Sequence, residues 1–329
     1  MDDLAGLDWF TFVPSWVIQD VVVLVLAVLA IGFILRHERR PGPILLEFFC
    51  FVFLYAAVYE NLATVMGWYE FGRSVVMVFN VPITVPLIEY LIVYAGIRLA
   101  TAMRIPTWTV PFLVGGMGVL ADLVLDPLAL SQIADTAEGT TGRWSWYIAP
   151  GAVNYFGAPV YNYTGWMLLC GYAAAFILLG RWWFRRSGER PSVGVAYPVL
   201  TLLAALAVMV SPLSAFLLWF GGSWGLPSYV EQGGWSEYVL LGLALAAMLA
   251  VVVAWRGRMR RRLTWREDWI IPVVYGVFHL SNVVWLLIGA QWAILWPSLG
   301  IIAAQLGLIA WAFSARPAAD RAFARRGRA

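Results

Sequence analysis

The chain has 329 residues, of which 62% are hydrophobic, 16% aromatic and 12% charged, with a mean hydropathy of +0.77. Soluble domains carry about 25% charged residues, so a water-soluble globular enzyme is excluded. The formal net charge of +3 is spread over connections, which predicts no nucleic-acid partner.

Apolar runs of about 20 residues, enough to cross a hydrocarbon core of about 30 Å, recur along the chain. They predict an all-α polytopic transmembrane helix bundle, one domain over residues 1–329, multi-pass in the cell (plasma) membrane. Nine spans are expected: 16–35, 43–66, 81–103, 107–127, 160–180, 195–219, 237–255, 268–289 and 292–313. Only Gly289, Ala290 and Gln291 separate the last two, so an eight-span reading stays open. The first span is too deep in the chain and too poorly flanked to read as a cleaved leader. A long outer loop, 128–159, follows the fourth span, and a basic cytoplasmic tail, 314–329, follows the ninth. Of the 22 basic residues, all arginine, 20 fall in odd-numbered connections, the span ends beside them and the tail. Arg73 and Arg143 fall on the other side. Positive connections stay cytoplasmic, which predicts the N-terminus out, the C-terminus in and an odd number of spans.

Ionisable residues inside apolar spans are costly and point to function. In chain order they are Asp20, Glu47, Glu60, Glu89, Asp122, Asp126 and His279. Asp20 and Glu47 lie near span ends, where water is expected within reach. Glu60 lies toward the outer end of the second span, and Glu89 follows a run containing Pro82 and Pro86. Asp122 and Asp126 are four apart and share a helix face with Gly115 and Gly118. Two stacked acids in an apolar span cannot both ionise cheaply, so at least one is expected to hold a proton. Pro127 predicts a helix end at Asp126, where the dipole also opposes negative charge. A neutral acid there could donate a proton; an acid hydrated by the loop is the alternative. Gly116 to Ala121 fits a dinucleotide GxGxxA pattern, but without a preceding strand close helix packing explains the glycines better.

His279 and Asn282 are three apart in the eighth span, a spacing that serves packing as readily as binding. Cys50 and Cys170 lie in apolar runs, and His37 lies in a basic connection. Two histidines cannot ligate a membrane di-iron centre, and no metal or redox cofactor is expected. Trp144, Trp146, Asn154, Tyr155, Asn162 and Trp166 gather in and after the outer loop. Aromatics collect at bilayer interfaces, yet their interleaving with Asn, Gly and Pro also suits a site that stabilises a cation and holds a water.

These blocks resemble the integral-membrane carotenoid biosynthesis proteins, among them the carotenoid 1,2-hydratases of the bisanhydrobacterioruberin hydratase type. The resemblance runs over about residues 45–180. It rests on Glu60 with the stretch to Tyr69 and Gly72; on Asp122, Asp126 and Pro127; on Trp144 and Trp146; and on Tyr155, Pro159, Asn162, Gly165 and Trp166. It implies cofactor-independent hydration of the terminal double bond of an acyclic carotenoid. In that reading Asp126, with Asp122, protonates the alkene, and Glu60, Asn154 or Asn162 places the water. Trp144, Trp146, Tyr155 and Trp166 face the carbocation, with Glu89, His279 and Asn282 lining the substrate path. Expected partners are the carotenoid or polyprenyl substrate, membrane lipid and other enzymes of the pathway. A membrane terpenoid or carotenoid cyclase using the same protonation is the alternative; a proton-coupled lipid or small-molecule transporter is the reading from a different class.

Overall fold

The computed structural model describes residues 12–103, 105–136, 139–148, 151–214, 235–255 and 263–315. Among these residues, nine helical segments are long and apolar enough to cross a membrane. α1 is Pro14–His37. α2 (Pro41–Cys50) and α3 (Ala57–Val65) form one span through a π-helical turn at Phe51–Ala56. Strands β1 (Tyr69–Phe71), β2 (Met77–Val78) and β3 (Val81–Pro82) lead to α4 (Thr84–Ala102) and α5 (Val110–Ser131). β4 (Ile133–Thr136), β5 (Gly139–Gly142), β6 (Trp144–Trp146), β7 (Asn154–Tyr155) and β8 (Ala158–Pro159) follow. The rest is helical: α6 (Val160–Arg186), α7 (Pro191–Met209), α8 (Trp235–Trp255), α9 (Trp265–Asp268), α10 (Ile270–Ile288) and α11 (Trp292–Ser314). Prolines in the first turns of α1, α2, α5 and α7 start helices where a free N–H is not needed. The chain is an all-α polytopic bundle, with each long helix satisfying its own backbone as a bilayer requires.

α4 and α5 form the buried centre, and α6 packs closest to α5. Two glycines make that approach possible. A Cβ on Gly115 would stand 2.6 Å from the Met167 carbonyl oxygen, and one on Gly118 would stand 2.7 Å from the Cys170 sulfur. On α5, Gly118, Asp122 and Asp126 fall at steps of four; on α6, Asn162, Trp166 and Cys170 do the same. The two stripes face each other antiparallel, so closing Gly118 on Cys170 sets the aspartates against Asn162.

Several expectations need correction. α5 does not stop at Asp126 but runs through Pro127 to Ser131. A proline is tolerated inside a packed membrane helix because neighbours re-satisfy the freed carbonyl. The helix-end dipole therefore does not act directly on Asp126. Residues 128–159 are not a plain loop: they begin with the last turn of α5 and carry five short strands. The sixth span was expected to reach 219, yet α7 ends at Met209, with residues 215–234 outside the described set. Arg181 is not in a connection but inside α6. Most of the basic segment 256–267 and of the tail 314–329 also lies outside the described residues.

Asp20 and Glu47 are not at exposed span ends: both are buried. Arg181 grips Glu47 with two hydrogen bonds, Nε to Oε2 at 2.9 Å and Nη2 to Oε1 at 2.7 Å; Tyr90 donates a third and Tyr197 a fourth, both at 3.2 Å. At the same end of the bundle, Arg98 joins Glu38 of the α1 terminus to Asp268 of α9. The strands lie at the opposite end. There Asp20 accepts from Ser74, from Thr84 Oγ1 at 2.9 Å and from Arg143 Nη2 at 3.4 Å. Burial lowers the Arg143 guanidinium from its ordinary value, and Asp20 works against that shift.

Candidate active site

The site is built where the α5–α6 stripe meets the strand-bearing end. The Asn162 side-chain nitrogen donates to Asp122 Oδ2 at 2.8 Å and to Asp126 Oδ2 at 2.7 Å. Both carboxyls are buried, and they lie within hydrogen-bonding reach of each other. One amide thus holds two acids from successive turns of α5 in a fixed relation.

Above them β1 pairs antiparallel with β6, in the register Tyr69 to Trp146, Glu70 to Ser145 and Phe71 to Trp144. Because side chains alternate along a strand, Tyr69, Phe71, Trp144 and Trp146 share one face. Tyr69 and Trp146 have ring centroids 4.4 Å apart, and Phe71 and Trp144 5.4 Å apart, as expected of cross-strand aromatic pairs. The Tyr69 hydroxyl also donates to Glu60 Oε2 at 2.5 Å. Burial first, and then the Glu60 carboxylate beside it, hold that hydroxyl well above its ordinary pKa, so it stays a donor.

A cavity of about 30 Å³ lies between ladder and helices. Glu60, Asp126 and Asn162 give it a polar lining, and Tyr69, Phe71, Trp144, Trp146 and Trp166 an aromatic one. A second cavity of about 30 Å³ shares Glu60, Tyr69, Trp146, Asn162 and Trp166, and extends to Tyr59, Tyr161 and Leu169. Each is large enough for a water, which needs about 10–15 Å³, and far smaller than a polyene.

Of the residues singled out in the sequence, Glu60, Asp126, Asn162, Trp144, Trp146 and Trp166 come together on these walls. Asp122 stands behind, reached through Asn162. Glu89 is fully buried on α4 with its carboxyl beside that of Glu60, and lines neither cavity. Asn154 is exposed, and its Oδ1 accepts from Gly157 N at 3.1 Å, so that oxygen serves its own turn. Tyr155 packs against Tyr163, ring centroids 5.9 Å apart, outside the lining. His279 and Asn282 line neither cavity. His279 Nε2 lies 2.5 Å from Gln305 Oε1, and Gln305 Nε2 donates to the Met117 carbonyl at 2.7 Å, which ties α10, α11 and α5 together. Sequence reasoning missed Tyr69 and Phe71 as lining residues. The alternation Tyr69-Glu70-Phe71, set against Trp144-Ser145-Trp146, was the signal available. Among the described residues, no group of three or more His, Cys, Asp and Glu side chains is placed to hold a metal.

The family model for carotenoid biosynthesis proteins matches residues 19–226, which include every residue lining the two cavities. No curated protein and no solved structure matches the chain significantly. On that match, covering more than half of its length, the chain belongs to the carotenoid biosynthesis protein family, as a multi-pass membrane protein with a role in making carotenoids.

Proposed function

We propose that the chain is a hydro-lyase of the carotenoid 1,2-hydratase kind, adding water to the terminal C1–C2 double bond of an acyclic carotenoid end group. Asp126 donates its proton to C2, which leaves a tertiary cation at C1. The faces of Trp144, Trp146 and Trp166 stabilise that cation by cation–π attraction. A water held by Glu60 and Asn162 forms the C1–O bond and gives its surplus proton to Glu60. The proton returns from Glu60 to Asp126 before the next turnover, so the sum is alkene plus water to tertiary alcohol. Tyr69 keeps the receiving oxygen of Glu60 oriented; Asp122 shares Asn162 with the donor and fixes its geometry.

One observation carries this reading: an acid, a second carboxyl and three tryptophans line a cavity of about 30 Å³, the size of a water. A cyclase would need that volume dry and a second alkene folded against the first. Expression in a host that accumulates acyclic carotenoids tests the proposal. A product heavier by one water is expected. Unchanged mass with altered retention would make the chain a cyclase, and unchanged pigment across acyclic substrates would refute the catalytic reading.

A further inference from the structure

Hydration needs two substrates of opposite polarity in one cavity. We infer that water enters from the strand-bearing face, through a passage under the β1–β6 ladder built around Asp20 and Arg143, and by a different route from the polyene. This rests on the hydration reading above and adds the path of its second substrate.

Three voids follow one another with shared walls. The outermost is a crevice of about 620 Å³ with an exposed polar rim of Glu70, Arg73, Asn80 and Thr140. Trp16, Gly72 and Arg73 also line a void of about 10 Å³ beneath it, whose other polar groups are Asp20, Ser74, Thr84 and Arg143. Val85 and Trp144 are common to that void and to the cavity of Asp126 and Glu60. Every polar side chain at the middle station can bond a water in transit: two hydroxyls, a carboxylate and a guanidinium.

The middle void is at the lower limit for one water, so passage requires a side chain to move. The Arg143 side chain closes the station. Its 3.4 Å contact is the longest on Asp20, and its Nη1 is shared between Gln19 and Gln132, the latter at 3.2 Å. Arg143 immediately precedes Trp144, so the station adjoins an aromatic wall of the reaction cavity. The second reaction-side cavity leads elsewhere, between Tyr59 of α3 and Leu169 of α6. Beside Tyr59, α3 exposes Val58 and Leu62 to the lipid-facing surface, the entrance an apolar polyene would use.

Two measurements test the route in the full chain with Thr84→Val and Ser74→Ala, which remove hydroxyls from the station and leave the lining of the reaction cavity intact. Radiolytic hydroxyl labelling marks side chains next to internal water whether or not the protein turns over. Trp144 is expected to label at least threefold faster in the parent than in Thr84→Val, with fully buried Tyr90 as the floor. Parent labelling of Trp144 at the Tyr90 rate would overturn the route. The second measurement is product partition. A cation deprived of water loses a proton to give double-bond isomers, so the alcohol-to-isomer ratio is expected to fall about tenfold in the variants. A constant ratio with both products reduced would overturn the route and make the station a structural latch. If the parent forms no alcohol, the hydration reading fails, while labelling still decides whether water passes.

Discussion

A donor to an unactivated alkene must hold its proton at rest and stand within reach of the carbon. In the proposed mechanism Asp126 is that donor: it lines the cavity, and its buried carboxyl shares Asn162 with Asp122. Asp126→Asn keeps size and polarity but removes the transferable proton, so turnover should fall by at least about 10²–10⁴-fold with folding preserved. Product formation at equal protein level, with detergent monodispersity as the control, reads this; near-normal activity would move the donor to Glu60. Asp122→Asn should cost less, since that carboxyl stands behind Asp126 and lines neither cavity. Tyr69→Phe deletes one bond to a charged group, about 1.5–3 kcal/mol, so kcat should drop roughly ten- to hundredfold with little change in KM. An equal loss in KM would mean that Tyr69 holds substrate instead. The aspartates were legible because helix periodicity and family pattern coincide at Asp122, Asp126 and Asn162. Asn154 and His279 stand away from the two cavities, Asn154 bonded within its own turn and His279 Nε2 against Gln305. His279 meets a glutamine 26 residues away, a pairing that one sequence cannot reveal.

At the scale of elements, the bundle is positioned by contacts that cross between helices. The spans were readable because length and apolarity alone define them; the strands were not, since an alternation over two to four residues is too short to stand out. Pro127 misled for a related reason: its rule holds for a helix in water, while packing here carries the helix past it. Glu47 and Arg181 show how far burial can depart from depth in a span. The pair joins α2 to α6, with Tyr197 of α7 and Tyr90 of α4 bonded to the same carboxylate. Removing one partner leaves a buried charge uncompensated, at a cost of about 3–5 kcal/mol. Arg181→Leu should therefore lower the thermal denaturation midpoint in detergent sharply, and Glu47→Leu added to it should recover most of the loss. An additive double variant would show that the two side chains stabilise the bundle independently.

For the whole molecule, orientation decides which compartment supplies the water. The bundle has one end rich in ion pairs, where Glu38, Arg98, Arg181 and Asp268 gather, and one end with the strands, where Arg73 and Arg143 are the basic residues. From the arginine bias we propose that the first end faces the cytoplasm and the strands face outside. Because consecutive spans alternate direction, nine spans put the two termini on opposite sides. A C-terminal fluorescent-protein fusion should mature and fluoresce, whereas a C-terminal alkaline phosphatase fusion should be inactive. Phosphatase placed after residue 138, in the connection between β4 and β5, should be active if the fusion remains inserted. An active C-terminal phosphatase would reverse the bundle or remove one span. Reversal would turn Asp126, Glu60 and the crevice above them toward the cytoplasm and make cytoplasmic water the second substrate.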